Sequence, residues 1–399
     1  MRNSKQVRSN KTLRQSFGLV LYVLVAVSLI YVPSAAKALE TNAKQAVLLD
    51  FETGVELYSK SADELMPPAS MTKMMTVYLL FERLAEGRLS LNDELLVSRK
   101  AWKKGGSKMF VEAGKTVKVE DLIRGIVVQS GNDATIVVAE GLAGNEEAFA
   151  REMTNKAREL GMSNTTFRNA SGWPDPEHRT TARDLAILAE ATIRNFPNYY
   201  KYYAERKFTY GISLTNGKPI TQPNRNPLLG RMKGADGLKT GHTENAGYGL
   251  TASAIRNGRR LILVLNGMPS NQARKVESER ILDWGFREFG NYKLFATDEK
   301  ITSVGVWLGD KSSIPLLAKE GVLLTMERKQ RKSLKVTIRH TEPIPAPIQK
   351  GSKLGDILVN IGDRSPIQIP LIAGEDVHRL GPSGRISAAL GYLLWGASK

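Results

Sequence analysis

The segment "SMTKMMTVYLLFERLAEG", residues 70–87, constrains the fold more than any other stretch of the chain. Met71, Met74, Met75, Val77, Tyr78, Leu79, Leu80, Phe81 and Leu84 leave no polar face before Glu82 and Arg83. A helix apolar all round belongs in the interior, so the rest of its domain must pack about it. One residue breaks the pattern. Lys73 stands in the first turn of this helix, and burying an ammonium is costly unless it is paired or gives up its proton. Ser70, three residues earlier, lies on the same helix face.

The elements around this helix follow from pattern. "AVLLDFETGVELYSKS" (46–61) reads as two strands about a turn at Glu52-Thr53-Gly54. Helices are expected over 72–86, stopped by Gly87, then over 120–128, 133–142 and 184–195, with Asp133 placed to cap the third of these. From residue 207 the period changes to that of strands. "KFTYGISL", "GLKTGHT" and "GYGLTASAIRNGRRLILVLNGM" alternate or run apolar, Asn257-Gly258 is a primed hairpin turn, and a helix over 271–289 follows. Strands at both ends with helices between them imply an α/β (α+β) domain: one antiparallel sheet closed by both ends of the segment, with a helical lobe inserted. Residues 297–372 hold short strands at turn spacing, with prolines at edges, and read as a small all-β domain. The expected domains are therefore 39–296, 297–375 and an amphipathic tail, 376–399.

Residues 1–38 are a different kind of text. Arg2, Lys5, Arg8, Lys11 and Arg14 precede "FGLVLYVLVAVSLIYV", and Ala36-Lys37-Ala38 fits a cleavage site, the signature of a secretory signal peptide. An uncleaved anchor helix is the alternative, and either way the following domains leave the cytoplasm. Removing residues 1–38 takes away six Lys/Arg and no acid, so the net charge falls from +17 to +11. That basicity suits anionic envelope polymers or lipid head groups, and no nucleic-acid motif accompanies it. With no cysteine, disulfides and thiolate chemistry are excluded, and the scattered His178, His242, His340 and His378 offer no zinc spacing. No metal or cofactor is expected.

Three short motifs carry the chemistry. Ser70-Met71-Thr72-Lys73 is an S-x-x-K, Ser130-Gly131-Asn132 an S-x-N, and Lys239-Thr240-Gly241 a K-T-G. Alone each is weak: Ser34–Lys37 and Ser90–Asn92 repeat the first two by chance. Order and setting make them specific, because Ser70 opens the buried helix, Ser130 lies between two helices and Lys239 lies on a strand. With "PASMTKMMT", "VVQSGNDAT", "TARD", "QPNRNPLL" and "DGLKTGHT", the chain resembles the low-molecular-mass penicillin-binding proteins, the serine D-alanyl-D-alanine carboxypeptidases, over about residues 40–295 and more loosely beyond.

Acyl transfer needs a nucleophile, a base, an oxyanion pocket and a grip on the substrate. Ser70 is the expected nucleophile and Lys73 its base, kept neutral by desolvation and by the nearby cation Lys239. The resemblance implies that Ser130 relays a proton to the leaving D-alanine and that Asn132 holds the substrate amide and Lys73. It further implies that Lys239 and Thr240 bind the terminal carboxylate, Gly241 lets the substrate approach the strand, the N–H groups of Ser70 and His242 form the oxyanion hole, and Arg274 is a second carboxylate ligand. Arg274 as an exposed helix arginine is the competing reading. The rim stretch "KKGGSKMFVEAG" (103–114) is expected to be a loop. The expected partners are peptidoglycan stem peptides, β-lactams as covalent inhibitors and, through the tail, the outer face of the cytoplasmic membrane. A D,D-endopeptidase, a weak β-lactamase, or a wall-binding protein with a vestigial site are the alternatives. Against a β-lactamase, Glu177 is followed at the fourth position by Thr181 where one class has asparagine.

Overall fold

The computed structural model describes residues 39–213, 215–362 and 365–395, so the expected export segment lies outside the described residues. From Asn42 onward the chain forms one compact unit. Its first sheet has five antiparallel strands. Strands β1 (Gln45–Asp50) and β2 (Glu56–Lys60) come from the start of this unit, and β3 (Ala235–Thr243), β4 (Gly247–Arg256) and β5 (Arg259–Met268) from beyond the helices. Their order is β2-β1-β5-β4-β3, so β1 and β5 pair across the insertion and the sheet is closed as expected. Asn257 and Gly258 join β4 to β5 with φ of 51° and 76°, the two left-handed residues that a primed two-residue turn requires.

Helix α1 (Lys73–Ala85) runs through the centre of the inserted lobe, and Met74 to Phe81 are all buried, as the apolar pattern demanded. Around it lie α2 (Val119–Val127), α3 (Asn132–Ala143), α4 (Glu146–Glu159) and α5 (Ala182–Asn195), and one apolar core joins them to β1, β3 and β5. Asp133 does not cap α3. It lies inside the first turn, fully buried, and its carboxylate accepts hydrogen bonds from the N–H groups of Met109, Phe110 and Val111 as well as Ala134. The carboxylate thus serves the rim loop, whose unpaired backbone donors outcompeted the helix end.

Helix α6 (Asn271–Glu288) packs beside the sheet and runs directly into a strand at Phe289–Phe295, which pairs with Val322–Glu327. A six-stranded sheet follows, with a core around Val304, Leu316, Ile357, Val359 and Leu371. Hydrogen bonds from Asn291 to Asp50 (3.0 Å) and between Thr53 and Thr325 (2.6 Å) tie this part to the β1–β2 turn. The last described element is α7 (Pro382–Trp395). Its Ile386, Leu390, Leu393 and Leu394 are all exposed, and the side chain of Trp395 lies outside those described. No described helix is long and apolar enough to cross a membrane.

Candidate active site

Three segments distant in sequence converge on one point: a 3₁₀ turn (Ala69–Thr72) that enters α1, the break between α2 and α3, and strand β3. Ser70 lies on the turn, half-buried, and Lys73 is the first residue of α1 with no exposed surface. Lys73 Nζ lies 2.9 Å from Ser70 Oγ, 2.8 Å from Asn132 Oδ1 and 2.6 Å from the Ser171 carbonyl oxygen. An ammonium donates to all three. A neutral amine has only two N–H groups, and of its three partners the two carbonyl-type oxygens can only accept. The lone pair is therefore left for the Ser70 hydroxyl. Burial holds the Lys73 pKa down to about 7, helped by the charges of Arg225 and Lys104 and opposed by Asp133.

Lys239 feels the charge of Lys73 in turn. Lys239 is itself almost wholly buried and is held well below its ordinary range, first by burial and then by the charge of Lys73. Its Nζ donates to the Thr240 carbonyl at 3.1 Å, and Thr240 is buried beside it. Gly241 has a reason the sequence did not supply. A Cβ there would sit 2.8 Å from the Pro68 carbonyl oxygen and 3.2 Å from Met71 Cγ, so β3 presses directly on the turn that carries Ser70.

Ser130 is buried in the left-handed conformation (φ 61°), and its Oγ has no hydrogen-bond partner among the described residues. Asn132, the first residue of α3, accepts from Lys73 and donates from Nδ2 to the Gly105 carbonyl at 2.9 Å, which links the rim loop to the site. His242 is exposed, and its ring stacks on Tyr248 at 3.9 Å. Arg274 is not the exposed arginine of the competing reading. It is 5% exposed, donates to the carbonyls of Gly241 (3.4 Å) and Gly249 (3.2 Å) and to Asn271 Oδ1 (2.7 Å), and leaves its Nε unpaired. Burial lowers its pKa to about 10.

Sequence reasoning missed four groups that the structure places around these residues: the Ser171 carbonyl on Lys73, Asp133 as the anchor of the rim, His178, bonded to Thr72 at 2.8 Å, and Arg225. Arg225 donates to Ser107 Oγ at 2.5 Å and bears electrostatically on Lys73, Lys239 and Arg274. It sits in "QPNRNPLL", where its charge inside an otherwise turn-like, polar stretch was the available signal. A cleft of about 580 Å³ opens beside the turn that carries Ser70, with Pro68, Trp173, Asp175, Thr243 and Glu244 among its lining.

Comparison with known proteins gives the same picture. A family model described as D-alanyl-D-alanine carboxypeptidase matches residues 32–270, and one described as the C-terminal domain of penicillin-binding protein 5 matches residues 289–379. The chain is 38% identical over 371 residues to the D-alanyl-D-alanine carboxypeptidase DacC of Escherichia coli, covering 90% of this chain and 91% of that protein. It is 35% identical over 353 residues to DacA of Haemophilus influenzae, covering 87% and 88%. Among solved structures it is similar to the D-alanyl-D-alanine carboxypeptidase DacD from Francisella tularensis, with a TM-score of 0.75, 31% identity, and 86% and 95% of the two chains covered. Penicillin-binding protein D2 from Listeria monocytogenes in its ampicillin-bound form is similar at a TM-score of 0.56 and 32% identity, covering 62% and 98%.

Proposed function

The chain belongs to the D-alanyl-D-alanine carboxypeptidase family, and from that premise we propose that it removes the terminal D-alanine of peptidoglycan stem pentapeptides through an acyl-enzyme on Ser70. The observation that carries this reading is the bonding of Lys73, whose neutral amine has only the Ser70 hydroxyl left to accept from. Lys73 takes the hydroxyl proton as Ser70 Oγ attacks the carbonyl carbon of the penultimate D-alanine. Negative charge then develops on the carbonyl oxygen, facing the backbone N–H groups of Ser70 and His242. The C–N bond breaks, the proton passes from Lys73 through Ser130 to the leaving nitrogen, and water later hydrolyses the ester. Lys239, Thr240 and Arg274 hold the terminal carboxylate, whose charge restores the proton that burial disfavours on Lys239. Asn132 holds both Lys73 and the substrate amide.

A β-lactam presents a carboxylate and a strained amide to the same groups and acylates Ser70. Glu177 is exposed and paired with Arg168 at 2.6 Å, which supports slow release over β-lactamase turnover. The enzyme works outside the cytoplasm, in the periplasm, on the evidence of the export-type text of residues 1–38. Attachment to the outer face of the cytoplasmic membrane is supported by the exposed apolar residues of α7. Labelling with a fluorescent penicillin, wild type beside Ser70→Ala, tests the acyl-enzyme: the wild type labels and the variant does not. No label on wild type overturns the reading. Release of free D-alanine from pentapeptide, with crosslinked dimers from sacculi left intact, separates carboxypeptidase from endopeptidase.

A further inference from the structure

Three residues of the nucleophile segment reach the same loop, 165–181. Lys73 Nζ donates to the Ser171 carbonyl, Thr76 Oγ1 donates to the Ala170 carbonyl at 2.7 Å, and Thr72 Oγ1 lies 2.8 Å from His178 Nε2. The loop is seated so closely that a Cβ on Gly172 would fall 1.8 Å from the Ala69 carbonyl oxygen and 2.8 Å from Thr72 Oγ1. Two of the three ties end on backbone carbonyls. The third ends on a side chain, and it is selective. We propose that His178 is a positioning residue for acylation: by bonding Thr72 on one side and the backbone of Arg168 on the other, it holds the loop so that the Ser171 carbonyl stays on Lys73.

The bonding assigns the tautomer. His178 Nδ1 accepts from the Arg168 N–H at 3.1 Å, so the proton of a neutral ring is on Nε2 and is donated to Thr72 Oγ1. His178 is 2% exposed, and its ring meets Phe167 edge-on at 5.5 Å. Burial lowers its pKa to about 4, with Lys73 and Arg168 pushing the same way and Asp175 opposing. The ring therefore stays neutral while Lys73 titrates, and with both nitrogens occupied it acts through Thr72 rather than on the substrate. This rests on Lys73 as the base. If the loop withdraws, water reaches the amine, the charged form of Lys73 is favoured, and its pKa rises.

Two substitutions divide the ring. His178→Asn keeps an acceptor near the Nδ1 position and loses the donor to Thr72; His178→Gln keeps a donor near Nε2 and loses the acceptor. Thr72→Val removes the same bond from the other side, with Thr72→Ser as its conservative partner. The full-length enzyme and its variants are acylated with fluorescent penicillin across pH. His178→Asn and Thr72→Val are expected to acylate about tenfold or more slowly, with the acid limb of the rate profile displaced to higher pH. His178→Gln and Thr72→Ser recover most of that loss, and the Thr72→Val/His178→Asn double variant is no slower than the worse single one. Folded His178→Asn or Thr72→Val enzyme with the wild-type rate and acid limb overturns the proposal, as do additive losses in the double variant. If His178→Asn does not fold, the Thr72 pair reads the same bond. Failure of the wild type to label at all strikes instead at the acyl-enzyme reading.

Discussion

Asp133→Asn separates two consequences of one buried carboxylate. Asp133 Oδ1 accepts from Met109 N and Ala134 N at 2.8 and 2.9 Å, and Oδ2 from Phe110 N and Val111 N at 2.8 and 3.3 Å. An asparagine of the same shape turns one oxygen into an NH₂ group that faces two N–H donors. Each buried donor left unpaired costs about 1–3 kcal/mol, so with two of them the variant is expected to lose about 2–6 kcal/mol of stability. The loss falls on the rim loop, because three of the four donors belong to residues 109–111. The second consequence has the opposite sense for chemistry. The Asp133 charge raises the Lys73 pKa, so its removal lowers that pKa and keeps the base neutral at more acid pH. Urea unfolding of the enzyme measures the first effect, and penicillin acylation rates between about pH 5 and 9 measure the second. The acid limb should move to lower pH even as the enzyme becomes less stable. A variant of wild-type stability, or an acid limb moved upward, refutes the reasoning.

Lys73→Met is expected to abolish acylation by orders of magnitude, and Lys73→Arg not to restore it, since a guanidinium stays charged. The unfolded chain binds a proton at Lys73 up to about pH 10.5 while the folded chain releases it near 7, so wild-type stability rises with pH through that window. At about 1.4 kcal/mol per pKa unit the net penalty on the charged form comes to about 5 kcal/mol. The stability of Lys73→Met relative to wild type should therefore fall steadily from pH 7 to 10, and a pH-independent difference counts against a buried base. For the tail, the exposed Ile386, Leu390, Leu393 and Leu394 gain roughly 1.5 kcal/mol each on entering an interface, less the cost of ordering the helix. Enzyme lacking residues 1–38 should sediment with phosphatidylglycerol-containing liposomes and a version ending at Arg379 should not; equal partition rejects the anchor.

The fold was legible wherever a local pattern had one physical solution. Nine large apolar residues without a polar face leave α1 nowhere to go but the core, and Asn257-Gly258 between two alternating runs leaves little besides a primed turn. The strand at Phe289–Phe295 was not legible. It continues straight from α6 without a breaker, and its partner at Val322–Glu327 is named by no feature of either segment. Asp133 misled for a related reason. An aspartate at a helix start has a common local use, and only the tertiary placement of the rim loop supplies the stronger competitor.

The site divides along a similar line. Ser70, Lys73, Ser130, Asn132, Lys239 and Thr240 were singled out by side-chain type at fixed spacing, and the structure brings the three motif segments together. The groups that tune them were not. The Ser171 carbonyl is backbone and would be presented by any residue at that position, so composition holds no trace of it. Gly241 and Gly172 are required by what would collide with a Cβ, Pro68 in one case and Ala69 in the other, and such neighbours exist only once the chain is folded. The pKa of Lys73 is set by burial and by Arg225, Lys104 and Asp133, which come from three further segments. The motifs thus single out the candidate reacting groups, whereas the protonation state on which the proposed chemistry depends is a property of the packing. Substitutions at Asp133 and His178, outside every motif residue, are therefore where the pH dependence of acylation should prove most sensitive.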